Sequence, residues 1–460
     1  MRRLCKIHFL LNTVAMAALT VGMNAAAPPA PSPQKAAAKP KVIAASQSPV
    51  KNVPLSKESL ACLECHRESA TPAATKQWAG SRHATAGVGC FECHHADKAS
   101  ATAFDHNGFS ITVLVSPRDC GRCHAKETKE FEASHHAKAG QILGSLDNVL
   151  GDVVEGIPAG NSGCKQCHGG VVKVVGPGKL DAATWPNTGI GRINPDGSRG
   201  SCSACHSRHA FSASVARQPE NCGKCHLGPD HPQAEIYAES KHGIAYRAKI
   251  GEMNLDSKSW VLGKDYSAAP TCATCHMSAT PELPLTHDVG ARISWTLRPE
   301  VSLKLDHWEA RRADMQKVCA NCHGSDWVQG HYTQYDAAVN LYNDKFAIPA
   351  KAIMKKLRDA GKLTPTPFDE KLEWTYFELW HHEGRRARMG AAMMGPDYTQ
   401  WHGFYEVAKN FYTEFLPQAE ELLPGVTAEV KAMDDHKWLQ GLSKEDRAKI
   451  ESFYQKRYGK

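Results

Sequence analysis

Of the seventeen cysteines in this chain, every one except Cys5 falls into a C-x-x-C-H unit. There are eight such units: CLECH at 62, CFECH at 90, CGRCH at 120, CKQCH at 164, CSACH at 202, CGKCH at 222, CATCH at 272 and CANCH at 319. Two thiols three positions apart can each add to a vinyl group of one porphyrin. The adjoining histidine then sits beneath the ring as an iron ligand. Disulfides would suit an exported chain but would not place histidine after every second cysteine. Zinc knuckles need four ligands per metal and do not require that histidine. The pattern therefore predicts eight covalent c-type haems. Their attachment points are Cys62 and Cys65, Cys90 and Cys93, Cys120 and Cys123, Cys164 and Cys167, Cys202 and Cys205, Cys222 and Cys225, Cys272 and Cys275, and Cys319 and Cys322. The proximal iron ligands are His66, His94, His124, His168, His206, His226, His276 and His323.

So many porphyrins decide the fold class. An apolar fraction of 42% is slightly low for a packed interior of this size, so cofactor, not side chain, is expected to fill much of it. The segments between motifs are rich in Gly, Pro and Ala, which leaves little room for regular sheet. The expected fold is mainly α with long loops, a multihaem cytochrome c packed around eight covalent haems and ending in long C-terminal helices.

Before the first motif, MRRLCK, an apolar run and NAAAPPA make residues 1–27 a cleavable signal peptide, which predicts a periplasmic protein. Residues 28–57 read as an Ala/Pro-rich linker. Residues 58–330 form the expected haem-binding body. Residues 331–460 form a helical region with apolar stripes suited to oligomerisation, for example Trp401, Phe404, Tyr405, Ala408, Phe411, Tyr412 and Phe415. The formal charge is +7, but Lys and Arg are scattered singly without a basic block, so nucleic acid is not an expected partner.

The chain has 24 histidines, and the spare ones are candidate second ligands. An aromatic, two residues, Ser, one residue and His recur in WAGSRH, FEASHH and YAESKH, which nominates His83, His136 and His242. Helical spacing brings the aromatic and the His onto adjacent faces. His287, His402 and one of His381 and His382 (taken as His382) are further candidates, while His436 reads as surface. Asp230-His231-Pro232 follows the sixth motif closely. An acid beside a histidine can move protons to or from a bound ligand, which a second iron ligand does not need.

These motifs, with GPDHPQ, SKHG, TCATCHM, THDVG and RRARMGAAMMGPDYTQWHGFYE, resemble the hydroxylamine oxidoreductase family of octahaem cytochromes c. The last five haem segments are also similar to the pentahaem cytochrome c nitrite reductases. The resemblance runs from about residue 58 to 420. It implies that the haem at Cys164, Cys167 and His168 is catalytic, with Asp230 and His231 as the acid-base pair above it and His242 closing a neighbouring haem. The pentahaem relatives have lysine where this chain keeps His168. Members that oxidise hydroxylamine carry a tyrosine from a neighbouring subunit of a trimer, joined to the catalytic porphyrin; Tyr398 in GPDYTQWHG is the match.

The resemblance thus implies oxidation of hydroxylamine, with hydrazine or nitrite as related substrates, a cytochrome c redox partner and a homotrimer. Reduction of nitrite or hydroxylamine to ammonia, or a non-catalytic electron conduit, are the alternatives. Tyr332 is a further pocket candidate, and Arg385, Arg386 and Arg388 are candidates for pairing haem propionates.

Overall fold

The computed structural model describes residues 53–142 and 149–459. The signal peptide and most of the linker lie outside these. The described chain groups as one unit. It is built from many short helices joined by loops, with long helices only near the C-terminus. Serine and threonine side chains start several of them: Ser56, Ser81, Ser116, Ser212, Ser240 and Thr271 each accept a backbone N–H of the first turn. Strands are confined to three two-stranded antiparallel ribbons. One, Phe104–His106 with Phe109–Ile111, turns on Asn107-Gly108, both at positive φ. Asn-Gly is the pair such a tight hairpin favours.

Apolar burial is uneven. Before Ile236, the buried apolar residues among those described are Leu63, Ala96, Ala103, Leu114, Ala137, Ala139 and Val172, mostly small. After it, three apolar clusters form. The largest joins the helices Ser325–Tyr342, Ile348–Asp359, Lys371–Phe377 and those that follow, through Tyr342, Phe346, Ile353, Leu357, Leu372, Leu379, Phe411 and Phe415. Each fully buried side chain of this kind contributes about 1.5–3 kcal/mol. Ile353, Met354 and Leu357 recur at helical spacing, so one face of that helix is apolar and the other carries Lys and Arg.

Two features depart from a simple reading of the stripes. The Ser325–Tyr342 helix runs through residue 330, where a boundary was expected. The long stretch after Lys371 is interrupted by π-helical turns at Glu378–Glu383 and Gln400–Tyr405, which carry His381, His382 and His402. Such turns widen a helix and often mark functional positions. Among the described residues, no helix is long and apolar enough to cross a membrane.

Candidate functional site

Several motifs fold as a single helical turn, as in Cys90–His94, Cys164–His168 and Cys272–His276. One turn sets the two thiols on the same side, with the histidine next to them. Opposite five of the eight motif histidines stands a second imidazole. The ring-centre separations are 6.1 Å for His66–His106, 6.3 Å for His94–His209, 6.2 Å for His124–His83, 6.1 Å for His226–His136 and 6.1 Å for His323–His242. His287 is the leading charged neighbour of His206, and its Nδ1 lies 3.8 Å from Glu130.

His83, His136 and His242, the histidines of the aromatic–Ser–His pattern, each face a motif histidine, but from beyond a helix break and not from the aromatic's own helix. His106 and His209 were not anticipated. For His209 a signal exists: Ser207-Arg208-His209-Ala210 repeats Ser81-Arg82-His83-Ala84, without the leading aromatic. His106 owes its position to the hairpin, which no short pattern announces.

His402, His382 and Tyr332 face none of the motif histidines in these pairs, and the surface reading of His436 needs correction. His402 has Asp397 at 3.3 Å from Nε2 and Glu406 at 3.5 Å from Nδ1, and its ring lies against Tyr398, so its nitrogens are turned to carboxylates and not to a motif histidine. His382 packs on His381 and Phe377 beside Asp230, and burial pushes it down to about 4. His436 is fully buried, stacked on Phe411 and 2.9 Å from the Tyr412 hydroxyl, because an aromatic pocket receives it. Tyr332 is buried under the Arg312 guanidinium near Cys319.

The expected acid-base pair sits in the loop between the sixth motif and the helix Gln233–Glu239. Gln233 fastens that loop. Its Oε1 lies 3.4 Å from His226 Nδ1, and its Nε2 donates to the Met389 sulfur. Asp230 Oδ1 is 2.9 Å from His231 Nδ1, an ion-pair distance without hydrogen-bond alignment. Its other oxygen faces Arg385 Nη1 at 3.2 Å and His381 Nε2 at 4.0 Å. Burial alone would raise the Asp230 carboxyl; His231, His381 and Arg385 outweigh it and hold the group at about 2. Arg385 also donates through Nε to the Arg298 carbonyl at 2.9 Å, which fixes its reach. The His231 ring lies 6.1 Å from that of His226 in the sixth motif, and His231 also neighbours Cys167 of the fourth.

The remaining arginines are engaged by protein acceptors. Arg386 pairs with Glu406, and buried Arg388 donates to Gly384 O, Pro299 O and Ser302 Oγ. Tyr398 lies half-buried on the short helix Pro396–Thr399; burial, then Glu235 and Glu239, raise its phenol.

Comparison with known proteins agrees with this geometry. Residues 195–368 match the family model described as "Seven times multi-haem cytochrome CxxCH", and residues 31–95 match that of cytochrome c554 and c-prime. Over 254 residues, 47% of this chain, it is 30% identical to a probable nitrite reductase-hydroxylamine oxidoreductase fusion protein of Kuenenia stuttgartiensis. The match spans a quarter of that protein's length. A solved hypothetical multihaem protein superimposes with a TM-score of 0.71 at 25% identity, covering 83% of this chain and 98% of the other. A reducing HAO-like protein complex from Kuenenia stuttgartiensis gives 0.58 at 21% identity, covering 81% and 87%, which is a likeness of fold.

The chain is similar to HAO-like multihaem cytochromes c.

Covalent haem fits the residues of this cytochrome. A ring nitrogen about 2 Å from a metal puts the ring centre about 3 Å away, so two imidazoles sharing one metal stand about 6 Å apart. The five pairs have that spacing; His231 also stands 6.1 Å from His226, which already faces His136 at the same distance. The paucity of bulky buried residues before Ile236 leaves the room that porphyrins need. Thiol neighbours also order the motifs in space. Cys62 meets Cys90, Cys93 meets Cys120, Cys120 meets Cys202, and Cys205 meets Cys222. From the sixth motif, Cys225 contacts Cys167 of the fourth, and Cys222 contacts Cys272 of the seventh, whose Cys275 neighbours Cys319 of the eighth. The sixth motif of the cytochrome is thus a junction, with the fourth as a side branch beside Asp230 and His231.

Proposed function

We propose that this cytochrome is an exported, trimeric enzyme that oxidises hydroxylamine to nitric oxide or nitrite at the centre anchored by Cys164, Cys167 and His168, and hands the electrons to a cytochrome c partner through its other seven haems. Hydrazine is a related substrate for the same pocket. One observation carries the reading: Asp230 lies 2.9 Å from His231 and is backed by the Arg385 guanidinium, and His231 neighbours Cys167. The haem held there would supply the iron that binds the nitrogen substrate and the route by which electrons leave.

The protein's own part is proton handling. Oxidation releases protons along with electrons, so a base beside the substrate is required. Asp230 Oδ1 faces His231 Nδ1, so a proton taken up at Nε2 leaves an imidazolium stabilised by the carboxylate. Arg385 holds Asp230 ionised and oriented. The neighbouring subunit's tyrosine, matched by Tyr398, is the element that favours oxidation. Its half-buried position at the protein surface suits a link made across subunits.

Reduction of nitrite or hydroxylamine is the second reading, because the curated relative's name joins both activities and the same pair donates protons as well as it accepts them. The test is hydroxylamine-dependent reduction of an added cytochrome c by the haem-loaded protein, with His231→Ala and Asp230→Asn. Loss of about 10²–10⁴-fold with unchanged haem content supports the assignment. A wild-type protein that turns over neither substrate, and whose ferrous haems bind no carbon monoxide, leaves only a conduit. The tyrosine-linked haem adds a reduced-state band well to the red of ordinary c-haem, and its absence would move the reading to reduction.

A further inference from the structure

The eighth motif ends one arm of the haem order and is open to solvent. Cys322 is exposed, as is His242, which faces His323 at 6.1 Å. The other face of the His323 ring is covered by Trp327, stacked at 4.2 Å and 12°, with 46% of the tryptophan exposed. His242 lies on the helix Lys241–Ala248. At about 100° per residue, Arg247, Ile244, Ala248 and Lys241 follow one another around one side of that helix, and all four are exposed. Lys249 and Ile250 extend the strip beyond its C-terminal end. Ile244 and Ile250 are 53% and 49% exposed.

No acid occurs from Lys241 to Gly251, and among the described residues no ion pair or side-chain hydrogen bond engages Lys241, Arg247 or Lys249. The flanking acids are Glu239, whose field falls on Tyr398, exposed Glu252, which leaves Lys241, Arg247 and Lys249 in excess, and Asp326, which accepts from Ser325 Oγ. The first motif, at the far end of the order, has the opposite character. There exposed Cys65 lies between exposed Glu64 and Glu68 in sequence, with Arg67 as the counter-charge.

We propose that the edge of the eighth motif, bounded by Lys241, Ile244, Arg247, Lys249 and Trp327, is the docking site of an acidic one-electron carrier protein. Uncompensated cations around an exposed redox edge steer an acidic partner by long-range attraction. The apolar Ile244 and Trp327 between them give it a dry contact of the small size that transient redox encounters use. In the step itself, one electron passes from a ferrous c-type iron to the carrier's oxidised centre, or the reverse when the carrier is supplied reduced; no bond is made or broken. Such docking serves a catalytic protein in either direction, and a conduit as well.

The test uses the haem-loaded protein and reduced plant-type [2Fe–2S] ferredoxin, an acidic low-potential carrier, as probe. Stopped-flow haem reduction gives the second-order rate as a function of ionic strength. The variant Lys241→Glu/Arg247→Glu/Lys249→Glu is compared with Glu64→Lys/Glu68→Lys, and carbodiimide cross-links from ferredoxin carboxylates are mapped by mass spectrometry. The proposal expects a rate at least about tenfold lower in the triple variant at low salt, a shallower salt dependence, and cross-links at Lys241 or Lys249. Trp327→Ala lowers the rate further without changing the salt dependence. Equal rates in the triple variant, cross-links confined elsewhere, or a sedimentation coefficient showing that these cations hold two copies of this chain together would each overturn it.

Discussion

Arg385 reaches across 155 residues of sequence to place Nη1 3.2 Å from Asp230 Oδ2. That contact joins the C-terminal helix Gly384–Met393 to the loop carrying His231, so the two halves of the chain meet at the proposed chemistry. Arg385→Ala leaves a mostly buried carboxylate short of one cation. The expected cost is about 1–3 kcal/mol in thermal unfolding, with turnover down about tenfold and KM little changed. Arg385→Lys restores charge without the carbonyl bond and recovers part of the turnover.

Acid sensitivity follows from the same carboxylate. Asp230 is held at about 2 in the folded protein, below the roughly 3.9 of a free aspartate. Its contribution to stability is fully present above pH about 4 and disappears as pH falls towards 2. Asp230→Asn is expected to remove that part of the acid transition. Unfolding midpoints measured between pH 2 and 6 check the difference.

His106 and His209 give a prediction about coordination. Replacing either by glycine opens one face of the centre anchored at the first or second motif. Each variant is expected to gain a carbon monoxide difference spectrum in the ferrous state, equivalent to one extra ligand-binding haem. No change would mean that the imidazole stands near the iron without binding it.

Tyr398 is tested by mass. The haem peptide containing Cys164–His168 is expected to carry a second peptide containing Tyr398 in wild type and to lose it in Tyr398→Phe. The variant is also expected to shift the ratio of hydroxylamine oxidation to nitrite reduction towards reduction.

Glu383, one residue beyond His382, is raised to about 7 by burial although the Asn410 amide donates to it. An acid with a raised folded pKa binds more protons folded than unfolded between pH about 4.3 and 7, so stability falls as pH rises through that window. Glu383→Gln keeps a partner for Asn410 and removes the charge. Its stability is expected to be flatter from pH 5 to 8 and about 1 kcal/mol higher at pH 8, by calorimetry.

What could be read beforehand follows from how far apart the cooperating residues lie. The eight motifs and Asp230-His231 are contiguous, so covalent chemistry and spacing announce them. The pattern around His83, His136 and His242 is legible because it is contiguous, although not as one helical turn: Trp78, Phe131 and Tyr237 end one helix and the histidine follows a break at the serine. His209 shares its Ser-Arg-His-Ala core but lacks the aromatic, and the stricter pattern missed it. His106 depends on an Asn-Gly hairpin bringing it to His66 from 40 positions away. The Arg385–Asp230 contact depends on the packing of the C-terminal helix, which apolar periodicity locates as a helix but not against a partner. His402 shows the converse. Its motif looks like that of a ligand, yet Asp397 and Glu406 on the same stretch capture both nitrogens.

The scarcity of large buried residues ahead of Ile236 has a biological corollary. Among its described residues, that half has few large side chains of its own to collapse around, so cofactor ligation and chain compaction are expected to be a single event there. A cell deficient in the ligation machinery would be expected to hold not an inactive store of this protein but a ragged amino-terminal half, trimmed by proteases back towards the self-sufficient helices beyond Tyr342.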